Sequence, residues 1–162
     1  MRVGVISDTH LTSGSDRRSL DRIFAGPLFG VDLVLHAGDL IDLEVFEPYA
    51  RDCELLMVAG NMDSAYTRSR LPQTRMIELE GRRIGLAHGW GAPEGIEQRL
   101  LGLFDEPPEL LVHGHTHCAR IERIGDVTFF NPGSATDPRF TPRPSVGIIE
   151  INGGIKPRVI EL

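Results

Sequence analysis

Short apolar runs punctuate this 162-residue chain, and they constrain its fold more than any other feature of the sequence. The first three, at residues 3–6, 33–35 and 55–58, are apolar along their length, which is typical of strands covered on both faces of a parallel sheet. Further strands are predicted at residues 76–79, 84–87, 110–112, 127–130, 146–151 and 155–160. The chain is therefore expected to be built mainly on strands.

Three segments between these runs have the spacing of amphipathic helices. Ser19 is expected to cap a helix that extends to about Gly26, and Asp42 is expected to cap a helix over residues 43–50. A third helix is predicted over residues 94–104, after a proline that suits a first turn. Strands thus alternate with helices in the first half, which indicates parallel strands joined by crossovers.

Tight turns join the later strands into hairpins. Gly81 and Gly125 each lie between two strand-like segments, and Asn152-Gly153-Gly154 begins with a strong turn signal. The later strands are therefore expected to be antiparallel, within one α/β sandwich. A chain of this length has the usual size of one domain, so we expect a single domain over residues 1–162.

The net charge of −6 and the 41% of apolar residues argue against several classes of protein. An acidic surface repels nucleic acid, so general DNA or RNA binding is not expected. No apolar run approaches the ~20 residues of a membrane helix. The N-terminal run turns polar too early for a signal peptide, and Cys53 and Cys118 form no CxxC pair. We expect a cytoplasmic protein that does not associate with membranes.

Metal-binding residue types follow five of the predicted strands. They are Asp8 and His10 after the first strand, Asp39 after the second, Asn61 after the third, His88 after the strand at 84–87, and His115 and His117 after the strand at 110–112. Ligands of open α/β sheets bind at the carboxyl ends of the strands. Residues two apart in extended backbone point to one side, so each of the two close pairs can grip one ion.

The number of these residues indicates two metal ions rather than one. Three oxygen-type donors and four imidazoles are too many for one transition metal, but they suit two ions that share a ligand. A carboxylate is the natural bridge because it has two oxygens, and two cations about 3.5–4 Å apart form a clamp for phosphoryl chemistry. Mixed histidine and carboxylate ligation favours Mn, Fe, Zn, Co or Ni over Ca or Mg, and we expect Mn.

Five motifs, in this order and spacing, resemble the calcineurin-like metallophosphoesterase superfamily. They are Asp8-x-His10, Gly38-Asp39, Gly60-Asn61, His88-Gly89 and Gly114-His115-Thr116-His117. The shortness of the chain and the later sequence Asn131-Pro132-Gly133-Ser134 resemble the small prokaryotic YfcE-type phosphodiesterases. The resemblance covers essentially the whole sequence.

The resemblance implies a four-layer αββα sandwich of two mixed sheets, with a dinuclear metal site at its edge. The implied ligands are Asp8, His10, Asp39 and His117 for the first ion, and Asp39, Asn61, His88 and His115 for the second. Asp39 would bridge the ions, and Asp39, Asn61 and His88 are also assigned a catalytic role. In the family mechanism a metal-bridging hydroxide attacks phosphorus in line.

One position departs from the pattern of the larger family. Many members have a histidine directly after the motif asparagine, where it assists the leaving group, whereas this chain has Met62. A thioether cannot donate a proton, so substrates with good leaving groups are favoured. YfcE-type relatives commonly lack this histidine as well.

Several neighbouring residues have a structural and a functional interpretation. His36 and His113 match no ligand position, so we expect strand-end histidines bonded to backbone, with support of a ligand as the alternative. Asp63 is expected to be a turn residue first and a partner of a ligand histidine second. Weaker hypotheses, each with a surface or core role as the alternative, concern Arg139 as a phosphate contact and Trp90 and Tyr66 as an apolar rim for the organic part of an ester.

Asn131, Gly133 and Ser134 lie in a segment that is either a simple turn or part of the binding site. Pro-Gly is a strong turn former, which favours the first interpretation. In the second, backbone N–H groups or the Ser134 hydroxyl lie near the substrate phosphate.

The sequence therefore predicts a dinuclear metal-dependent phosphodiesterase that acts on a small-molecule phosphoester. One alternative is a phosphomonoesterase, against which Met62 argues mildly. The other is a non-catalytic protein-binding scaffold of the same fold, similar to the retromer scaffold subunit, against which the complete set of ligand residues argues. A homodimer is compatible with this prediction.

Overall fold

The computed structural model describes residues 1–139, 141 and 143–162. The strands in this part of the chain are β1 (Arg2–Ile6), β2 (Leu33–His36), β3 (Glu54–Met57), β4 (Thr74–Leu79), β5 (Arg82–Ala87), β6 (Leu110–Val112), β7 (Arg120–Ile124), β8 (Val127–Asn131), β9 (Ser145–Ile151) and β10 (Ile155–Glu161). The helices are α1 (Arg18–Ala25), α2 (Ala65–Arg70), α3 (Ile96–Leu101) and two 3₁₀ helices, Leu43–Phe46 and Tyr49–Arg51. Each predicted strand is present.

The strands form two mixed five-stranded sheets, in the orders β10-β9-β1-β2-β3 and β4-β5-β6-β8-β7. In the first sheet β1, β2 and β3 are parallel, β9 is antiparallel to β1, and β10 is antiparallel to β9. In the second sheet β5, β6 and β8 are parallel, and the edge strands β4 and β7 are antiparallel to them. The hairpins predicted at Gly81, Gly125 and residues 152–154 join the antiparallel pairs.

The two sheets pack face to face around the main hydrophobic core. Fully buried side chains from both sheets meet there, among them Val5 and Leu35 from the first and Ile84, Leu110 and Phe130 from the second. Each side chain of this size contributes about 1.5–3 kcal/mol when it is fully buried. The shared core fixes the relative position of the strand ends of both sheets.

Helices cover the outer face of each sheet and complete four layers. Leu20 and Ile23 of α1 pack with Phe46 against the first sheet. Ile96 and Leu100 of α3 pack against the outer face of the second sheet. The predicted four-layer αββα sandwich is therefore confirmed. Within the described residues, every helix is too short or too polar to cross a lipid bilayer.

The first predicted helix begins earlier than expected, and the third is shorter than expected. Helix α1 begins at Arg18, whose backbone N–H donates to the Asp16 carboxylate (2.9 Å), so Ser19 lies inside the helix and does not cap it. The helix predicted at 94–104 is limited to α3, because Gly95 before it has a left-handed conformation (φ 70°). Both differences lie at helix ends, where apolar spacing carries little information.

The segment at 43–50 forms the two 3₁₀ helices rather than one α-helix. Pro48 lies between them and has no N–H with which to continue a helical ladder. The predicted cap is also wrong, since the Asp42 carboxylate accepts hydrogen bonds from the N–H and hydroxyl of Ser13.

Two elements escape the apolar pattern. Strand β7 has two isoleucines among three charged residues, because it lies at the edge of the second sheet, where much of it is exposed. Helix α2 has few apolar residues and depends on its cap, in which Ser64 accepts a hydrogen bond from the N–H of Thr67 (3.2 Å).

The inter-sheet core leaves no room beside Gly147, which lies on β9 opposite Phe130. A methyl group added there would lie 2.8 Å from Phe130 Cε1 and 3.1 Å from Val5 Cβ. We expect Gly147→Ala to lower the free energy of unfolding by about 1–3 kcal/mol, as overpacking does. Gly154→Ala is the matched control, since a methyl group at that turn meets nothing within 4 Å. Urea unfolding followed by circular dichroism measures both, and equal midpoints would contradict this account of the core.

Candidate metal centre

The candidate ligands come from loops at the carboxyl ends of strands in both sheets. Asp8 and His10 follow β1, Asp39 follows β2 and Asn61 follows β3, all in the first sheet. His88 follows β5, and His115 and His117 follow β6, in the second sheet. Since the sheets pack face to face, these loops meet at one edge of the sandwich.

Backbone strain is concentrated in these loops. Five of the seven non-glycine residues with positive φ among the described residues are predicted ligands: Asp8 (52°), His10 (48°), Asp39 (55°), His115 (73°) and His117 (57°). Such conformations cost of order 1–3 kcal/mol each and persist only where surrounding structure enforces them. The fold thus holds these side chains in orientations that an unstrained loop would not give.

One group of donors lies around Asp8. Its Oδ1 is 3.4 Å from His117 Nε2, and His117 Nε2 is 3.2 Å from His10 Nε2. Each of these three residues offers a ligand atom within 4.8 Å of the other two. Gly114 lets the second sheet approach here, since a methyl group on it would lie 2.6 Å from Asp8 Oδ2.

A second group of donors lies around Asn61 and Asp39. Asn61 Oδ1 is 3.2 Å from His88 Nε2 and 3.1 Å from His115 Nδ1. Asp39 Oδ2 is 3.2 Å from the same His88 nitrogen and 3.8 Å from His10 Nε2. Asp39 therefore lies between the two groups, and the structure brings all seven predicted residues together.

Backbone carbonyls determine which ring nitrogen of three histidines carries the proton. His88 Nδ1 lies 2.7 Å from Ala37 O, His117 Nδ1 lies 2.6 Å from Asp137 O, and His115 Nε2 lies 2.8 Å from Gly91 O. A carbonyl accepts only, so each of these nitrogens is the N–H donor. In the neutral ring the opposite nitrogen is then a lone-pair acceptor, and in all three histidines that nitrogen points into the cluster.

This arrangement fits cations, because acceptors face acceptors when the histidines are neutral. The lone pairs of His88 and His115 point at the Asn61 oxygen, and that of His117 points at the Asp8 carboxylate. Without a positive charge between them these contacts repel. Mixed nitrogen and oxygen donors are also the ligands that first-row transition metals accept. The donor set therefore passes the chemical test for a metal site.

The pKa values show the same demand for positive charge. Burial raises the pKa of Asp8, although His88 and His117 act in the opposite direction. Burial also acts upward on Asp39, but the hydrogen bond and the charge of His88 hold its pKa below the usual value. For His88, burial acts downward, yet Asp39 and Asp8 raise its pKa overall. A proton on His88 supplies positive charge between the two carboxylates, and a bound metal ion would supply it in place of that proton.

The three residues given a supporting role lie behind the ligands. His36 contacts Thr9 Oγ1 (3.0 Å) and accepts from the N–H of Gly38 (3.1 Å), which holds the loops of Asp8 and Asp39. His113 is buried beside its neighbouring carbonyl. Asp63 accepts from the N–H groups of Ile41 and Gly60 (2.7 Å each), so it fixes the turns before and after the site rather than a histidine.

In the structure, the segment of Asn131, Gly133 and Ser134 makes hydrogen bonds within the protein. Asn131 and Ser134 are almost completely buried. Asn131 Nδ2 donates to Gly114 O (2.9 Å), its Oδ1 accepts from Gly133 N–H (2.9 Å), and the Ser134 hydroxyl donates to Asp8 O (2.8 Å). These hydrogen bonds stabilise the loops that carry the ligands. Contact of this segment with a substrate phosphate stays a prediction.

The remaining hypotheses concern exposed side chains around the cluster. The Arg139 guanidinium is paired with the Asp137 carboxylate (2.7 Å). Trp90, Tyr66 and Met62 are all about half exposed, at 44%, 50% and 51%. Trp90 lines a cleft next to the cluster, whereas Tyr66 is not among the residues that line it.

Sequence reasoning missed the backbone groups that orient the histidines. The carbonyls of Ala37, Gly91 and Asp137 carry no side-chain signal, because any residue supplies a carbonyl. Arg99 was missed as well, although its guanidinium donates to the carbonyls of Trp90 (3.2 Å), Ala92 and Glu94 (2.9 Å) and so fixes the loop that contains Gly91. No motif marks this arginine.

Known proteins are similar to this chain in sequence and in fold. A family model described as the calcineurin-like phosphoesterase superfamily domain matches residues 1–154. A probable metallophosphoesterase of Methanothermobacter thermautotrophicus is 39% identical over 156 residues, which are 94% of this chain and 87% of the relative. The phosphodiesterase YfcE of Escherichia coli is 31% identical over 106 residues, or 60% of this chain and 53% of that protein.

A solved structure extends the similarity to the whole fold. Wild-type Vps29 from Entamoeba histolytica complexed with Zn²⁺ is 29% identical, covers 99% of both chains and gives a TM-score of 0.68. The family resemblance carried by the five motifs is confirmed by these comparisons.

Burial lowers the pKa of His36 to about 3, so this histidine stays neutral in the folded protein while it is protonated below about pH 6.5 in the unfolded chain. Stability is therefore lost as the pH falls from 6.5 toward 3. Between pH 7 and pH 5 this one group accounts for about 2 kcal/mol of that loss. We expect His36→Gln to lose less stability than wild type by about this amount in urea unfolding with chelator present. Parallel stability curves over this pH range would contradict a neutral, buried His36.

Proposed function

Because this chain belongs to the calcineurin-like phosphoesterase superfamily, we propose that it is a phosphodiesterase that works with two divalent transition-metal ions. The observation that carries the proposal is the convergence of ligand atoms around Asn61 and Asp39, where the neutral histidines direct lone pairs at oxygen acceptors. Asp8 lies within ligand distance of His10 and His117 on one side and of Asp39 and His88 on the other, and these two sets of ligand atoms support two ions rather than one.

The geometry suggests which residues hold each ion. The first group is Asp8, His10 and His117, and the second is Asn61, His88 and His115. Asp39 lies within 3.8 Å of a nitrogen from each group, which supports it as the shared ligand. The two carboxylates together with neutral imidazoles suit Mn²⁺, our first choice, and also Fe, Zn, Co or Ni.

The bound ions would acidify the attacking water and neutralise the charge that develops on the phosphoryl oxygens. The chain's own residues set the geometry for that chemistry. Backbone carbonyls hold His88, His115 and His117 with their lone pairs inward, and the N–H of Met62 donates to Asp39 Oδ1 (2.7 Å) and orients that carboxylate. The substrate phosphate therefore meets a preorganised site.

A diester with a good leaving group is the substrate class that position 62 supports best. The Met62 side chain is half exposed and offers no proton. Among the relatives, YfcE carries the name phosphodiesterase, which agrees with this choice. A cytoplasmic location and a small-molecule phosphoester substrate complete the proposal.

Metal-stripped protein is expected to bind two equivalents of Mn²⁺ in a calorimetric titration. Asp39→Ala should weaken both binding events and reduce turnover of an aryl diester by more than about 100-fold, because even residues that merely support a ligand are worth 10–100-fold. Asp42→Ala is the matched control, since it removes a nearby carboxylate that accepts hydrogen bonds from Ser13 and is not a predicted ligand.

Saturation at one equivalent would contradict the shared-ligand arrangement. Two bound equivalents with no turnover of diesters or monoesters would favour the scaffold alternative, and faster turnover of monoesters than of diesters would favour a phosphomonoesterase.

The rate of diester hydrolysis is expected to depend steeply on the pKa of the departing alcohol, because position 62 supplies no general acid. Met62→His should flatten this dependence and raise kcat/KM for alkyl diesters, up to the roughly 10²–10⁴-fold that a general acid contributes. Met62→Leu controls for loss of the thioether. A plot of log kcat/KM against leaving-group pKa tests this, and a shallow wild-type slope would mean that another group donates the proton.

A further inference from the structure

A cleft of about 450 Å³ opens directly beside the candidate metal centre. Two ligand residues, Asn61 and His88, form part of its wall, and Trp90 and Leu103 supply large apolar side chains. We propose that this cleft binds a planar aromatic group of the phosphoester, stacked on Trp90. The proposal rests on the proposed phosphodiesterase function and adds a specificity subsite to it.

Trp90 is placed and exposed as a stacking surface requires. It lines the same cleft as the ligand residues Asn61 and His88, so a group bound to phosphorus at the metal centre would lie beside it. The indole is 44% exposed and Leu103 is 37% exposed, although the protein buries most of its large apolar side chains. An aromatic ring from the substrate would cover this surface and gain a stacking interaction.

The loop that carries Trp90 is fixed before any ligand arrives. The Arg99 guanidinium donates to the carbonyls of Trp90 (3.2 Å), Ala92 and Glu94 (2.9 Å). In the same loop, Gly91 O accepts from His115 (2.8 Å). The backbone at Trp90 and the metal centre therefore belong to one hydrogen-bond network. Ligand binding loses little conformational entropy in this loop, because the loop is already ordered.

The polar part of the cleft suits the edge of a ring. Arg68 and Gln73 line it together with the apolar side chains. Arg68 Nη1 donates to Asp63 O (2.5 Å) and lies 3.5 Å from Asn61 O, which anchors the guanidinium beside the centre. The cleft thus combines one apolar face with donors and an amide at its rim, as sites for small aromatic ligands do.

Three phosphonates test binding at the subsite separately from binding at the metal centre. Their P–C bond is not cleaved by ester hydrolysis. Methylphosphonate, cyclohexylphosphonate and phenylphosphonate share the charged head and differ only in the organic group. Calorimetric titration of the Mn²⁺-loaded protein is expected to give wild type a roughly three- to tenfold lower Kd for the phenyl than for the cyclohexyl compound. Trp90 is the one tryptophan of the chain, so its fluorescence should change on phenylphosphonate binding.

Three variants assign the preference to the indole. Trp90→Ala should reduce the ratio of the two Kd values to about one, and Trp90→Phe should restore a preference for the phenyl ring because it retains a stacking face. Tyr66→Ala is the matched control, since Tyr66 is equally exposed on a neighbouring element but does not line the cleft. Its ratio should equal that of wild type.

The probes distinguish failure of the subsite from failure of the proposed function. If methylphosphonate does not bind the Mn²⁺-loaded protein, the proposed function fails and the subsite with it. If methylphosphonate binds but the phenyl and cyclohexyl compounds bind equally, only the subsite is overturned. A phenyl preference that survives in Trp90→Ala also overturns it, because the ring then binds elsewhere.

A second pair of probes identifies the source of the aromatic group. Adenosine 5′-monophosphate and ribose 5-phosphate differ by a base. If wild type prefers adenosine 5′-monophosphate and Trp90→Ala abolishes this preference, the result supports nucleotide esters as substrates. If wild type prefers phenylphosphonate but binds the two sugar phosphates equally, the result supports smaller aryl esters.

Discussion

Asp8 ties the two sheets together at the edge where the site lies. Its N–H donates to Gly38 O (3.0 Å), its carbonyl accepts from Ser134 (2.8 Å), and its carboxylate accepts from the N–H of His115 (3.2 Å to each oxygen). Because the residue is completely buried, these bonds are what offsets the cost of removing its polar groups from water. A shift of either sheet would therefore displace donor atoms throughout the cluster.

Most of the fold and the location of the site could be predicted, because both depend on side chains that sequence shows directly. Apolar runs such as 33–35 indicate buried strands. Asp8, Asn61 and His115 are residue types that bind metals, and their position after strands indicates the site. The details that failed depend on local backbone. Pro48 separates two short 3₁₀ helices where the apolar spacing predicts one continuous helix. Strand β7 lies at a sheet edge and is mostly exposed, so it lacks the apolar run of a buried strand.

The orientation of the ligand side chains could not be predicted from the sequence for a related reason. Carbonyls from three separate segments choose the tautomers of His88, His115 and His117, and a carbonyl has no identity in a sequence. The same holds for Ser134, whose type suggests a phosphate contact while its geometry supports Asp8. Residue types thus indicated which chemistry is possible, and only the tertiary structure shows where each group points.

The central place of β1 in its sheet has a consequence for synthesis on the ribosome. This strand pairs with β2 on one side and with β9 on the other, and the N–H of Met1 bonds to the carbonyl of Ile151, 150 residues away. During synthesis β1 therefore keeps one open edge until residues 145–151 have been made, and an open edge is a template for pairing with other chains. The pairing of β1 with β9 is thus a contact of long sequence separation, which forms late in folding and leaves β1 exposed until then.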